Sequence, residues 1–273
     1  IDTAKFTAVI ATHGGVVSDF LGQFEKIDHR TAPIIAIPTT AGTGSEASPD
    51  AGIHPSSFEI SDGITSLNVV PRVALCDPNL TQTLPIELRA ATGIDALSHC
   101  MEGFLATGEH EIIDYLALEG ISIIRQTIQS VVQDNDSTSR SRMMLAAFYG
   151  GLAIGKGLGP AHSIAISCGD QGLHHGMLSG LGLIATLDYV SDRSDGRDSR
   201  IRDALAIKED TSLSLFVKDL MRSLNLPVSL SQLGYQIRDI DQLANSCAQS
   251  HFNKTSRVKI DRFDFKKLLE GIL

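Results

Sequence analysis

Apolar positions in the first fifteen residues fall at Ile1, Ala4, Ala8 and Val9, and Gly14-Gly15 closes the run. That spacing predicts a helix already under way at the start of the chain, with Asp2 or Thr3 as its cap. The pattern then shortens. The run Ile34 to Ile37 in "APIIAIPTTAGTGSE" leads into a Gly/Thr/Ser loop, and Val73 to Leu75 in "PRVALCDPNL" is stopped by Asp77-Pro78. Both read as buried strands feeding polar turns, the way α/β folds build sites at the carboxyl ends of their strands. From Pro85 the period becomes helical. "LPIELRAATGIDALSHCMEGFLA" places Pro85 near the first helical position and Glu87 in the first turn. "EHEIIDYLALEGISIIRQTIQSVVQ" is a long amphipathic helix. "DNDSTSRSRMMLAAFYGGLAIGKG" gives a polar loop, a capping Ser or Thr and an apolar helix. "SGLGLIATLDYV", "SLSLFVKDLMRSL", "IDQLANSCAQS" and "RFDFKKLLEGIL" are further helices, and "SDRSDGRDSRIRD" is a solvated loop leading into one. No strand pattern follows Leu80. The expected division is a partial α/β dinucleotide-binding portion over 1–84 and an all-helical domain over 85–273.

Composition narrows the classes. The chain has 273 residues, 42% of them hydrophobic, and a formal net charge of −9. There is apolar material for one or two cores, and the acidic balance argues against nucleic acid or an anionic membrane as the main partner. No apolar run reaches the length of a membrane span, and the start has no basic segment typical of a signal peptide. Cys76, Cys100, Cys168 and Cys247 are scattered, with no C-x-x-C pair, so reduced thiols in a cytoplasmic protein are expected.

Candidate chemistry sits in the helical part. In "GIDALSHCMEGF", Asp95 and His99 are four residues apart and project from nearly the same face of an apolar helix. They can pair with each other or share a cation. His162 follows a Gly/Pro break in "GLGPAHSIAIS", and His174 and His175 precede Gly176 in "DQGLHHGMLSG". One carboxylate with three imidazoles matches what a borderline divalent metal, Fe(II) or Zn(II), requires. His13, His29, His54, His110 and His251 have no such context and read as surface or structural residues.

Three strings, "IPTTAGTGSEAS" (37–48), "VALCDPNLTQTLP" (73–85) and "ATGIDALSHCMEGF" (91–104), resemble the iron-containing alcohol dehydrogenases, within the dehydroquinate-synthase-like group. The resemblance spans essentially the whole chain. It implies an N-terminal α/β domain for the dinucleotide, a helical domain for the metal and an active site between them. It further implies Asp95, His99, His162 and His175 as metal ligands, His175 being preferred to His174 because the family pattern is His-Gly. Three features depart from the family pattern. A Gly-Gly-Gly-Ser phosphate loop normally precedes the "IDTAK" segment, so an upstream part of the nucleotide domain is expected beyond Ile1, and the chain without it should bind NAD(P) poorly. Ile166 stands where many members have a proton-relaying histidine. A lysine often found before the "VALCDP" strand is absent from "FEISDGITS", which offers Asp62.

The residues support the implied chemistry: a cation at an alcohol oxygen and a nicotinamide held against the substrate carbon. In the "TTAGTGSE" loop, Gly42 and Gly44 allow close backbone approach, while Thr39, Thr40, Thr43 and Ser45 supply hydroxyls and amides for NAD or NADP; the same string also fits an ordinary capped turn. Asp2 approaches the cofactor in the family. His174 is a candidate proton carrier or a partner that orients a ligand. The resulting expectation is a metal-dependent NAD(P) oxidoreductase interconverting an alcohol and a carbonyl compound, as a cytoplasmic homodimer. The alternatives are a dehydroquinate-synthase-type cyclase acting on a carbohydrate phosphate and a non-catalytic metal-binding remnant. The cyclase would call for clustered Lys and Arg that "GIDALSHC" and "GLHHGMLSG" lack.

Overall fold

The computed structural model describes residues 1–53 and 62–273. His54 and residues 58–61 of the "FEISDGITS" segment lie outside the described residues. Among the described residues the front portion carries an α-helix, short 3-10 turns and two small sheets: α1 (Asp2–His13), β1 (Ile35–Ala36), β2 (Asp50–Ile53), β3 (Asp62–Thr65) and β4 (Val73–Ala74). β1 and β4 pair in parallel, and β2 and β3 pair antiparallel. The rest is helical: α2 (Ile86–Leu105), α3 (Glu111–Gln133), α4 (Ser137–Ile154), α5 (Pro160–Ser167), α6 (His175–Ser191), α7 (Arg197–Leu205), α8 (Leu213–Ser223), α9 (Leu230–Leu233), α10 (Ile240–Gln249), α11 (His251–Thr255) and α12 (Arg262–Glu270). Among the described residues no strand follows β4, and no helix is long and apolar enough to cross a membrane.

Two apolar clusters hold these elements. Phe6 and Val9 of α1 pack with Phe20, Ile27, Ala51, Ile64 and Val69. A larger core is built on α2, whose residues from Ala90 to Leu105 are all buried, with contributions from α3, α4, α6, α8 and α12 such as Ile121, Met143, Leu181, Val217 and Phe265.

Several local expectations are corrected. The two predicted strands are buried on one side only. Ile34 and Ala36 point inward while Ile35 and Ile37 are exposed, as are Val73 and Leu75, because alternate strand residues face opposite sides of the sheet. The β2–β3 ladder was not legible: "DAGI" and "DGIT" are too short and too poor in apolar residues to show alternation. Asp2 does not cap α1, whose first flanking residue is Ile1 without a side-chain cap. Its carboxylate instead accepts from the Ser45 hydroxyl and, at 2.9 Å, from the Gly52 N–H. Pro85 lies one position before the first residue of α2, and α4 is capped by Asp136 rather than by Ser or Thr, its carboxylate accepting from the Ser139 N–H at 2.9 Å.

The "TTAGTGSE" loop is clamped against the helices. Gly44 adopts φ +61°, and a Cβ there would lie 2.4 Å from the Cα of Gly151 on α4, so only glycine permits both the left-handed backbone and the contact. Downstream, the fully buried Lys5 of α1 donates to the carbonyls of Ser48 (2.9 Å) and Asp50 (2.6 Å) and to the Ser48 hydroxyl (3.3 Å).

Candidate metal centre

Asp95 and His99 sit one turn apart on α2, as their spacing predicts, with His99 Nε2 3.8 Å from Asp95 Oδ1. His162 comes from the first turn of α5 and His175 is the first residue of α6. The ligating atoms of Asp95, His99, His162 and His175 all lie within 4.8 Å of one another. The rings of His99 and His162 stack at 4.8 Å between centroids, and His162 meets His175 at 5.4 Å. His175 Nε2 is 3.8 Å from Asp95 Oδ1. Its approach depends on Gly176: a Cβ there would lie 2.4 Å from the Ala91 carbonyl and 3.0 Å from Asp95 Cβ. Without that side chain the start of α6 descends onto α2, which gives the His-Gly pair its physical reason.

The exposures are unequal. The side chains of Asp95 and His99 are at most 5% exposed and that of His162 is 2% exposed, whereas His175 is 47% exposed. Three of the four thus form a buried floor and His175 stands at the mouth. Burial lowers His99 to about 4 against the pull of Asp95, so its ring is neutral near pH 7 and has a lone pair to offer. Burial works against the Asp95 carboxylate, but the facing His99, His175 and His162, with the Ser179 hydroxyl, leave it below the ordinary carboxylate range.

Two buried atoms here lack a hydrogen-bond partner: Asp95 Oδ1 and His162 Nε2. A carboxylate oxygen and an imidazole nitrogen left facing one another inside a core are costly unless something electropositive lies between them. One carboxylate and three imidazoles are the donors that Zn(II) and Fe(II) take. The residues fit a divalent ion.

His99 Nδ1 donates to the Gly42 carbonyl at 3.3 Å, so the "TTAGTGSE" loop holds one ring of the cluster. Thr39 and Thr43 are exposed and Thr40 is half-buried, while Gly42 and Ser45 are buried. Asp2 and Ser45, expected to face a nucleotide, bond to each other. His174 has a structural partner as well. It is the cap of α6, its Nδ1 accepting from the Gly176 N–H at 3.2 Å.

Of the histidines read as surface or structural, His13 faces Asp28 at 3.1 Å and His110 caps α3. His251 lies closer to the centre than expected. Its ring packs at 3.9 Å on Phe252, whose own ring meets His162 edge-on at 5.6 Å. Sequence reasoning also passed over Glu102. It is buried on α2, seven residues after Asp95 and so on the same stripe, and its carboxylate meets His162 at 2.6 Å. An acid in an otherwise apolar helical run was the available signal.

Residues 1–78 match the family described as iron-containing alcohol dehydrogenase, and residues 89–273 match the C-terminal part of the Fe-containing alcohol dehydrogenase family. The chain is 35% identical over 288 residues to 4-hydroxybutyrate dehydrogenase of Cupriavidus necator, covering 99% of this chain and 74% of that protein. It is 30% identical over 269 residues to alcohol dehydrogenase 4 of Saccharomyces cerevisiae, covering 96% of this chain and 70% of that protein. The solved structure of an alcohol dehydrogenase from Oenococcus oeni superposes with a TM-score of 0.92 at 25% identity, covering 100% of this chain and 74% of that one. The chain belongs to the iron-containing alcohol dehydrogenase family. Its fold class is an α/β portion joined to an all-helical one, and its chemistry is metal-dependent alcohol oxidoreduction with a divalent metal and NAD(P).

Proposed function

We propose that Asp95, His99, His162 and His175 hold the divalent ion, Fe(II) or Zn(II), of an NAD- or NADP-dependent alcohol dehydrogenase. The observation that carries this is the convergence of four ligating atoms within 4.8 Å, two of them buried without a hydrogen bond. The bound ion supplies Lewis-acid stabilisation of charge on the substrate oxygen. The chain's residues do the rest. Buried Asp95, His99 and His162 exclude water from the floor, and the exposed His175 leaves the mouth as the side by which an alcohol enters and its hydroxyl proton leaves to solvent. Thr39, Thr40 and Thr43 offer hydroxyls to the cofactor. Asp2 and Ser45 brace the loop, and Gly42 ties it to His99. We assign His174 to the cap of α6, not to proton transfer. The two apolar clusters support a division near residue 85 into a 1–84 nucleotide-binding portion and an 85–273 metal-binding domain. A cytoplasmic homodimer is the proposed setting, with Cys76, Cys100, Cys168 and Cys247 as reduced thiols.

The test is metal analysis of the purified chain with an NAD(P)+-reduction screen over primary alcohols, diols and sugar alcohols. ω-Hydroxy acids come first, because the relative at 35% identity is a 4-hydroxybutyrate dehydrogenase. The expected result is a bound divalent ion, lost in His162→Ala together with NAD(P)H formation. Metal retained in that variant would sink the assignment.

A further inference from the structure

Glu102 is the most heavily engaged carboxylate near the centre. Its Oε1 accepts the Ala161 N–H at 2.7 Å, and its Oε2 accepts the His162 N–H at 3.0 Å and His162 Nδ1 at 2.6 Å. The two amides belong to the first turn of α5, whose N-cap residue, Gly159, has no side chain to satisfy them. A Cβ on Gly159 would lie 2.6 Å from Glu102 Oε1. The missing cap and the room for Glu102 are therefore the same feature. A carboxylate at a helix N-terminus is favoured by the helix dipole. As an acceptor-only group it obliges His162 Nδ1 to be the donor, which leaves Nε2 as a lone pair. Nε2 is the buried, unpartnered atom that faces the cluster.

We propose that Glu102 is the positioning residue of the metal centre: it clamps the start of α5 and the ring of His162 with one carboxylate, fixes the Nδ1–H tautomer and so strengthens the hold on the ion. This rests on the metal-centre assignment above. A carboxylate behind a ligating imidazole orients the ring and raises its basicity, and losing such a partner typically weakens metal binding about 10–100-fold. A role confined to capping α5 would lower stability and leave affinity alone.

Two measurements on the full chain decide it. In the metal-free protein, long-range 1H–15N spectra assigned with His162→Gln report the tautomer of His162; Nδ1–H is expected, and Nε2–H would overturn the proposal. Titration with Co2+, followed by its d–d absorption, compares the parent with Glu102→Gln, whose amide keeps the size but cannot accept at both ends. Affinity lower by about 10–100-fold supports the proposal, and equal affinity overturns it. Gly159→Ala, which must displace Glu102, should weaken Co2+ binding in the same direction. If Glu102→Gln does not fold, the tautomer of the parent and the Gly159→Ala titration still decide. Failure of the parent itself to take Co2+ overturns the metal centre, and this inference with it, whatever tautomer is seen.

Discussion

Lys5 in the front portion and Asp95 in the helical portion are both ionisable groups deep in the fold, yet they are treated differently. Lys5 Nζ has three oxygen partners on the segment from Ser48 to Asp50. Asp95 Oδ1 has no hydrogen-bond partner, and neither has His162 Nε2 beside it. A buried polar group whose bonds are all made holds the chain together. One left unmet at the meeting point of three imidazoles marks a place prepared for something else. Burial alone would have ranked the two alike.

The contrast can be broken by substitution. The largest effect is expected from Asp95→Asn, which should weaken metal binding by more than about 100-fold, beyond the range for outer partners of a ligand. The same change should leave the melting point of the metal-free protein nearly unchanged, because an amide of the same size can still meet the Ser179 hydroxyl and the facing imidazoles that support the carboxylate. A lower melting point without metal would mean that Asp95 is structural after all. Lys5→Met should do the reverse. Stranding the Ser48 and Asp50 carbonyls costs about 1–3 kcal/mol, measurable by denaturant unfolding, while Co2+ affinity stays within about twofold.

Acidity sharpens the same pair. Burial brings Lys5 down to about 8, with Asp2, Asp50 and Glu46 pulling back. Between pH 8 and the ordinary 10.5 the unfolded chain holds a proton that the folded chain has shed. Stability from this group should therefore rise with pH across that window and be flat below it. Unfolding curves of the parent should show this rise relative to Lys5→Met, and a parent-minus-variant difference independent of pH would refute it. The smallest effect is assigned to His174→Ala. Loss of a helix cap costs about 1 kcal/mol, with metal content and turnover nearly unchanged, as assayed on one preparation. A collapse of turnover with metal retained would restore His174 as a proton carrier.

How much of this was legible depended on whether a residue's role is local. Asp95 and His99 could be read from their spacing because a helix puts i and i+4 side by side. His175 could be preferred over its neighbour through the His-Gly resemblance, and the structure adds the reason in the contact of Gly176 with α2. The same chain hid Glu102, whose partners lie 59 and 60 residues away. It also hid the Gly42 carbonyl, a backbone atom that carries no residue-specific signature. The capping role of His174 was not read either, although a helix beginning at the next residue needs an acceptor for its first amides. The exposed faces of β1 and β4 were missed because a short apolar run does not say how many of its sides are covered.

On the proposed metal assignment, the unmet atoms of Asp95 and His162 tie the heat resistance of this protein to its mineral supply. Leaving them without partners raises the free energy of the folded chain, and an ion that binds only the folded chain reverses this by mass action. At a free ion concentration 100-fold above its dissociation constant the gain is about 2.7 kcal/mol, a sizeable part of the stability of an ordinary domain. A chelator would then act as a mild denaturant, and the melting temperature would serve as a gauge of how fully the centre is loaded.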